Sequence, residues 1–433
     1  MSETVTPRPE SAQLDCPECR TSITYYDVAG SEFYACPNCH AYFQHTNEET
    51  PKLIGKYTRT THATPLIPLG ALGTLAGTQW RVVGFVERCE YQAQQYTWSE
   101  YQLYQPETRE YAQLAQFNGH WIIIRPFAEQ KNQIKLVGQS LERPEGTYRL
   151  YARYQTRILW AVGEFDWDIK GDDSVKISEY ILPPRMVVQE RNENAVTWYR
   201  AEHVEPSDVA AGFKVPPSSL PTPEGVGAVE PNPSAPKWPA LKRLTLVALA
   251  LLLLGQVLFS IRHRRETLLS ERLRVVADTA AAAGTGRIIV SPSFTLKDQA
   301  ALLIELNTTL NNQWLELPVS LVNEQTGQGF EFTKNIEYYS GVEGGENWTE
   351  GRRDTDAVLS RVPAGRYHLN FYPITEAGPA APEIVVTVVA NPFLWSNFFI
   401  ALLSLLIYPV WLYMRRASHE TGRWSQSDYG PTQ

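Results

Sequence analysis

Two long uncharged runs constrain this chain more than any other feature. Leu244–Ile261 (LTLVALALLLLGQVLFSI) holds no charged residue. As a helix it reaches about 27 Å, close to the ~30 Å hydrocarbon thickness of a bilayer. Lys242 and Arg243 precede it, and Arg262, Arg264 and Arg265 follow. The second run, Pro392–Met414 (PFLWSNFFIALLSLLIYPVWLYM), reaches about 34 Å if straight. Trp395, Tyr408, Trp411 and Tyr413 sit near its ends like an interfacial belt, and Arg415 and Arg416 stop it. Pro409 falls near its C-terminal end, where a kink is tolerable. Two buried core helices are the alternative, but uncharged runs of this length with basic stops are the pattern of membrane spans. The sequence thus predicts transmembrane helices at 241–261 and 392–414, with a tail at 415–433.

Two spans place both termini on one side. Arg415, Arg416 and Arg423 favour a cytoplasmic C-terminus. The basic cluster at 262–265 then lies outside, but the loop it begins is over a hundred residues long, and long loops cross largely regardless of charge. The expectation is an inner-membrane protein with cytoplasmic termini and residues 262–391 extracytoplasmic. In Glu266–Val276, Leu269, Leu273 and Val276 share one helical face, which predicts a stalk helix within 262–285.

The remaining sequence reads as mainly β. In 66–213, short Val-, Thr-, Tyr- and Trp-rich segments recur at sandwich-like or barrel-like spacing. Asn118-Gly119 between aromatic flanks is a strong hairpin signal. Pro183-Pro184 must lie in a turn or at an edge. Residues 286–391 predict an antiparallel β-sandwich of immunoglobulin-like or jelly-roll type. Between these regions, 214–240 is rich in Pro, Ser, Gly and Ala and reads as a semi-extended linker with nothing to bury.

Five cysteines occur, and four form the pairs Cys16-Pro-Glu-Cys19 and Cys36-Pro-Asn-Cys39. Two C-x₂-C pairs at this separation fit a zinc pattern. Four thiolates close a tetrahedral shell and leave no position for water or substrate, so a structural zinc ribbon is expected at 1–50. So short a segment buries little core, and metal binding must supply its folding energy. His40 and His45 are possible substitute ligands but read better as surface residues. A redox role for the pairs lacks the surrounding βαβ pattern. Residues 1–65 hold five Lys/Arg against eight Asp/Glu, and the whole chain carries a net charge of −8. Both counts argue against nucleic-acid binding, which needs clustered basic residues.

Other residues invite chemistry without completing it. Asp166, Asp168, Asp172 and Asp173 suggest calcium, but the spacing is not an EF-hand loop and fits a polar turn. His120 has no nucleophile motif beside it, and Cys89 reads as a buried thiol. Trp314, Tyr338, Tyr339 and Trp348 fit either a glycan-stacking surface or a β core. No Walker loop, GxGxxG, GxSxG or HExxH is present. No catalytic or cofactor-binding residue is assigned, and the chain does not read as an enzyme.

Several stretches resemble a bacterial family known only as domain of unknown function 4178. They are Trp80-Arg81-Val82-Val83-Gly84-Phe85, Trp98–Tyr104, Gly163-Glu164-Phe165-Asp166-Trp167, Glu179–Pro184 and Val196-Thr197-Trp198-Tyr199. The resemblance implies an N-terminal ribbon, two spans around a β domain, and a tail like Arg423–Asp428. It also implies an envelope or membrane-stress setting. The resulting expectation is a non-catalytic inner-membrane scaffold or sensor that binds protein partners. A small-ligand-binding or enzymatic β domain on a membrane anchor and a glycan-binding outer sandwich are the alternatives.

Overall fold

Where apolar side chains run continuously along a strand, as at Val82, Val83, Phe85 and Val86, both faces must be covered, and this chain covers them by closing one sheet on itself. The computed structural model describes residues 11–46, 50–59, 62–93, 95–127, 134–171, 175–192, 195–262, 264–277, 284–376, 381–392 and 395–430. The chain divides into two units, one running to Ala240 and resuming at Val410, the other Leu241–Pro409. The first unit opens with β1 (Ala12–Asp15), β2 (Ser22–Tyr25), β3 (Phe33–Ala35), β4 (Ala41–Gln44), β5 (Lys52–Lys56) and β6 (Leu72–Leu75). Then come β7 (Thr78–Glu90), β8 (Thr97–Gln105), β9 (Glu110–Phe117) and β10 (His120–Pro126). After them follow β11 (Lys135–Val137), β12 (Ser140–Arg143), β13 (Gly146–Phe165), β14 (Lys176–Leu182), β15 (Arg185–Arg191) and β16 (Val196–Val204).

Hydrogen bonding runs β7-β8-β9-β10-β16-β15-β14-β13 and returns from β13 to β7. Every pairing in this ring is antiparallel, so these strands form a closed barrel. The register aligns Gln102, Gln113, Ile124, Ala201, Met186 and Ile181 in one cross-strand row. That row faces the interior. The opposite face carries Phe85, Tyr101, Leu114, Trp121 and Ile123 into a core completed by Val209, Ala210 and Phe213 of α1 (Pro206–Phe213). Both central residues of the β9–β10 turn have positive φ, 47° at Asn118 and 80° at Gly119, as a type I′ hairpin requires.

The ribbon is not a separate domain, because its second hairpin extends the barrel sheet. β13 pairs with β3 at Gly163–Phe165 while Gly163 also pairs with Gly84 of β7. Three backbones meet here, and only glycine fits. A Cβ on Gly163 falls 2.3 Å from the Val83 carbonyl oxygen, at φ +104°.

The expected free linker is packed against the barrel. Leu220 and Val229 are buried apolar residues, Asn232 and Ser234 are buried polar ones, and Glu224 N donates to Asn118 O. Composition missed this because the segment uses its backbone carbonyls, more than apolar bulk, to hold its place. Tail residues 415–424 are likewise not free. They continue the second apolar helix.

The second unit is a two-sheet antiparallel sandwich. One sheet is ordered β17 (Glu266–Arg274), β27 (Glu383–Ala390), β20 (Ala300–Thr308), β24 (Asp354–Val362). The other is ordered β18 (Ile289–Val290), β25 (Gly365–Phe371), β21 (Gln313–Asn323), β22 (Gly329–Glu343), β23 (Glu346–Arg352), with β19 (Phe294–Leu296) on β25 and β26 (Ile374–Thr375) on β21. Alternate residues Leu302, Ile304, Leu306, Leu317, Val319, Leu321, Leu369 and Val386 fill the space between them. β17 overturns the stalk helix. Leu269 and Leu273 lie four apart, a spacing that helix and strand faces share, so the pattern did not discriminate. The flanking positions do: Val275, six from Leu269, is buried, whereas Val276 is exposed. Pairing with β27 decides the matter, since it covers an apolar strand that otherwise stands at the sheet edge.

Two helices remain, α2 (Trp238–Arg262) and α3 (Trp395–Trp424). Among the described residues these two are long and apolar enough to cross a membrane, and most of their leucine, isoleucine and phenylalanine side chains are exposed.

Gly163→Ala should destabilise the protein by about 3 kcal/mol or more, from overpacking plus an unfavourable φ. Urea unfolding followed by tryptophan fluorescence in detergent measures it, and an unchanged midpoint means the three-strand junction is loose.

Candidate functional site

The structure brings Cys16, Cys19, Cys36 and Cys39 together at one end of the ribbon. Both knuckles are built the same way. Arg20 N donates to Cys16 O and His40 N donates to Cys36 O, and Arg20 and His40 take φ of 59° and 62°. The turn after each second cysteine is thus left-handed, so each pair of sulfurs swings to the same side. Cys16 and Cys39 sulfurs lie 3.6 Å apart, Cys19 and Cys36 sulfurs 3.7 Å, and all four fall within 4.8 Å of one another. A four-coordinate ion with metal–sulfur bonds of about 2.3 Å needs edges of roughly 3.8 Å. The cluster can hold a metal ion. The Thr21 hydroxyl and N–H, with Asn38 Nδ2, pull the Cys19 thiol down to about 5, whereas burial pushes Cys39 up to about 12. Thr21 and Asn38 also hydrogen-bond each other at 3.1 Å, which fixes both donors.

The ribbon is tied to one mouth of the barrel. Tyr26 N donates to Glu164 Oε1 at 2.8 Å, Tyr111 Oη to Asp27 Oδ2 at 2.6 Å, and Tyr42 Oη to Asp168 Oδ1 at 2.7 Å. At that mouth a cavity of about 490 Å³ opens into the barrel. Gln102, Gln113, Asp166, Trp167, Glu190 and Tyr199 are among its walls. Arg88, 3% exposed, also borders it, with Nε 2.8 Å from Glu100 Oε2 and its guanidinium over the Trp167 ring. Gln102 Nε2 donates to Asp166 Oδ1, and desolvation, then the field of Asp27, raises the Asp166 carboxyl. Carboxylates outnumber cations here, so the cavity favours a ligand that donates hydrogen bonds.

Polar groups continue inward. Trp98 Nε1 donates to Glu100 at 2.7 Å, Trp98 meets Tyr154 edge to face, and Tyr154 Oη donates to Glu179 Oε1 at 2.6 Å. Burial lifts Glu179 to about 7 against the Tyr154 hydrogen bond, with Glu90 and Glu100 adding to the rise. Glu164, 2% exposed, is raised to about 7, also by burial first.

The opposite end of the barrel is closed by the strap 216–237 and the end of α3. Arg423 is fully buried. Its Nη1 donates to the carbonyls of Gly227 and Ala228 at 2.8 and 2.9 Å, and its Nη2 to that of Glu230 at 2.6 Å. Trp424 packs with Tyr151 among the barrel-interior residues, and Ser427 Oγ donates to Tyr151 O. Asn232 Nδ2 donates to Arg416 O and Glu420 Oε1. His120 belongs to this floor, with Nδ1 3.4 Å from Glu230 Oε2 and Nε2 3.1 Å from Glu224 O. It is a docking residue with no nucleophile beside it.

The other candidates find structural places. Asp168 holds Tyr42, and Asp172 and Asp173 lie outside the described residues. His40 Nδ1 accepts from Trp160 Nε1. Cys89 is buried. Arg353 covers one face of Tyr338 at 3.6 Å, and Trp348 rests on Gly341. Sequence reading missed Arg88, Glu100, Gln102, Glu179 and Arg423. Glu100 and Gln102 carried a signal, as a charge and an amide two positions apart in a strand otherwise rich in aromatics.

Residues 68–206 match the family model described as "Domain of unknown function (DUF4178)". The chain carries this domain, and the match spans β6 through the start of α1. No curated protein matches the chain. Among solved structures, the infectious bursal disease virus VP2 subviral particle is 10% identical, with 88% of this chain and 69% of that one covered and a TM-score of 0.19. The delta-endotoxin Cry8Ea1 from Bacillus thuringiensis is 8% identical, with 89% and 52% covered and a TM-score of 0.14. A structure titled for carbohydrate-binding modules of the β-sandwich superfamily is 5% identical, with 61% and 89% covered and a TM-score of 0.14. At such scores the likenesses carry no argument.

A folded pKa raised to about 7 gives a definite sign. Below the ordinary glutamate range both folded and unfolded chains bind the proton. As pH rises from 4.5 to about 7 the unfolded chain releases the proton while the folded chain keeps it, so stability falls across that window and levels off above it. Glu179→Gln should leave stability nearly unchanged at pH 4.5 and raise it by about 2 kcal/mol at pH 8. Unfolding midpoints at the two pH values measure this, and an equal shift at both contradicts a buried, proton-holding Glu179.

Proposed function

We propose that this protein is a non-catalytic inner-membrane sensor whose barrel binds a small, donor-rich polar molecule and whose state is read by partner proteins. One observation carries the reading. The C-terminal end of the second apolar helix forms the floor of the same barrel whose mouth opens into the cavity. A ligand in that barrel and the C-terminal end of an apolar helix therefore share one packed unit. The non-catalytic part rests on how the polar groups are engaged. Arg88 is held by Glu100, Asp166 by Gln102 and Asp168 by Tyr42.

Zinc suits the ribbon best, because four thiolates at these separations match a closed tetrahedral shell. Bound there, the ion orders the hairpin that carries Asp27, and Asp27 orients Tyr111 at the cavity wall. It supplies structure and no chemistry. α2 and α3 span the membrane, with both termini cytoplasmic and the sandwich outside. The docking of residues 423–427 into the barrel supports a C-terminus on the barrel's side. A glycan-binding sandwich gains no support, since Arg353 and Gly341 already meet the faces of Tyr338 and Trp348.

A thermal-shift screen of small amines, amino sugars and polyols on the full-length protein in detergent tests the sensor reading. At least one compound should stabilise the protein, and Gln113→Trp, which fills the cavity, should abolish the response. Ligand should also change the rate of trypsin cleavage after the exposed Lys237 of the strap. The reading is lost if no compound acts, or if Gln113→Trp responds as the parent does.

Thr349→Cys, on exposed β23, tests the topology. A membrane-impermeant maleimide should label it in cells with a permeabilised outer membrane. Labelling only after the inner membrane is broken reverses the orientation.

A further inference from the structure

The outer face of the barrel carries a second site, independent of the interior cavity. Ile122 and Ile124 of β10 pack with the interior cluster, and Arg125 between Ile124 and Pro126 points the other way, beside Trp80 of the outer core. In the β10–β16 pairing Arg125 stands directly opposite Arg200. Like charges in that relation destabilise a sheet. Arg143 of β12 joins them around a cavity of about 250 Å³ whose wall also includes Phe127 and Glu202.

The three guanidiniums are held in different ways. Arg200 pairs with Glu202 at 2.8 Å, and Arg185 approaches the same carboxylate at 3.8 Å. Arg143 Nε pairs with Glu145 at 2.8 Å, and its guanidinium lies 4.4 Å over the Phe127 ring. Among the described residues Arg125 has no carboxylate partner. Its guanidinium lies 5.6 Å from the Trp80 ring, and its buried Nε and Nη2 meet no acceptor among the described residues. Those two nitrogens form one side of the guanidinium fork, the side that binds two oxygens of an oxyanion at once. A buried donor without an acceptor costs about 1–3 kcal/mol. An oxyanion relieves that cost and the Arg125–Arg200 repulsion together.

We propose that this pocket binds a phosphate group. Arginines approach from β10, β12 and β16, so the anion must offer oxygens in more than two directions. A tetrahedral phosphate does so, and a planar carboxylate does not. The volume admits a phosphate with little attached inside the pocket, so the rest of the molecule lies outside it. Free phosphate and the headgroup of an anionic lipid share this chemistry.

The test uses full-length protein in neutral detergent and in lipid nanodiscs. Inorganic phosphate is titrated against sodium chloride of equal ionic strength, and unfolding temperature is read. In a second arm, nanodiscs of phosphatidylcholine are compared with nanodiscs containing phosphatidylglycerol. A saturable rise in unfolding temperature with phosphate, or one only with phosphatidylglycerol, supports the site and identifies the source. Arg125→Lys keeps the charge but not the fork, and should weaken the apparent affinity at least tenfold. Arg200→Met, at a half-exposed position that a fold tolerates, should do the same. No saturable rise in either arm overturns the proposal, as does an equal rise in parent and both variants.

Discussion

The 20-residue strand β13 takes four partners in succession along its length, and the rest of the first unit depends on that. Its early part pairs with β12 and β14, its middle with β14 and β7, and its end with β7 and β3. Closure of the barrel therefore requires β13 to change partners as it proceeds. The change happens over Gly163, whose missing Cβ lets β7 and β3 approach together. The hairpin that carries Cys36 and Cys39 is attached to the barrel by backbone hydrogen bonds at this point, which no side-chain substitution in the ribbon can remove. Asp166 and Asp168 follow β13 directly, so the same closure sets the rim of the cavity.

A barrel of this size is normally filled by side chains. Here the half nearest the floor is filled, by Ile177, Ile181, Met186, Val188 and Ala201 with Val229 and Trp424. The half nearest the mouth keeps its space because polar side chains line it: Arg88 pairs with Glu100, Gln102 bonds Asp166 of the rim, and Gln113 stands in the wall beside them. Buried ion pairs contribute little net stability compared with apolar packing. Arg88–Glu100 is therefore better explained as a constraint on cavity shape than as a source of stability. Glu179, held near neutrality by its surroundings, sits between the two halves.

The two apolar helices, the cysteine cluster and the β character were legible because each rests on a local pattern: a run length, a spacing, an alternation. The hairpin at Asn118-Gly119 was legible for the same reason. What the sequence concealed depends on partners distant in the chain. The strand at Glu266–Arg274 looked helical because a spacing of four serves both periods, and burial of Val275 with pairing to Glu383–Ala390 separates them. The segment 214–240 looked free because the carbonyls of Gly227, Ala228 and Glu230 carry no sequence signal, and their donor lies nearly two hundred residues away. Arg423 itself resembles any basic stop after a membrane run. The arginine pocket was hidden likewise, since Arg125 and Arg200 become neighbours only through strand register.

In the sensor proposed above, how occupancy of the cavity would reach the helix follows from which parts of the barrel can move. The wall is a closed hydrogen-bonded ring, and bending it breaks ladder bonds on several strands at once. The floor is different. Strap and tail add no strand to the ring: Tyr151 to Arg423 O, Ser427 to Tyr151 O and His120 to Glu224 O join them to it through side chains, and Glu224 N to Asn118 O through the backbone of the β9–β10 turn. Arg423 then binds strap and tail to each other through three carbonyls, so the two leave or stay as one piece. A ligand shifts such an equilibrium only by binding the two states with different affinity. The interior supplies that difference, because Trp424 and Val229 complete the packing beneath the cavity only while the floor is seated. A molecule that needs a closed barrel therefore favours the seated floor and holds the end of α3 against it. One that needs more depth favours release. The sign of the response is set by ligand size relative to the cavity, and its range by the few side-chain contacts that attach the floor.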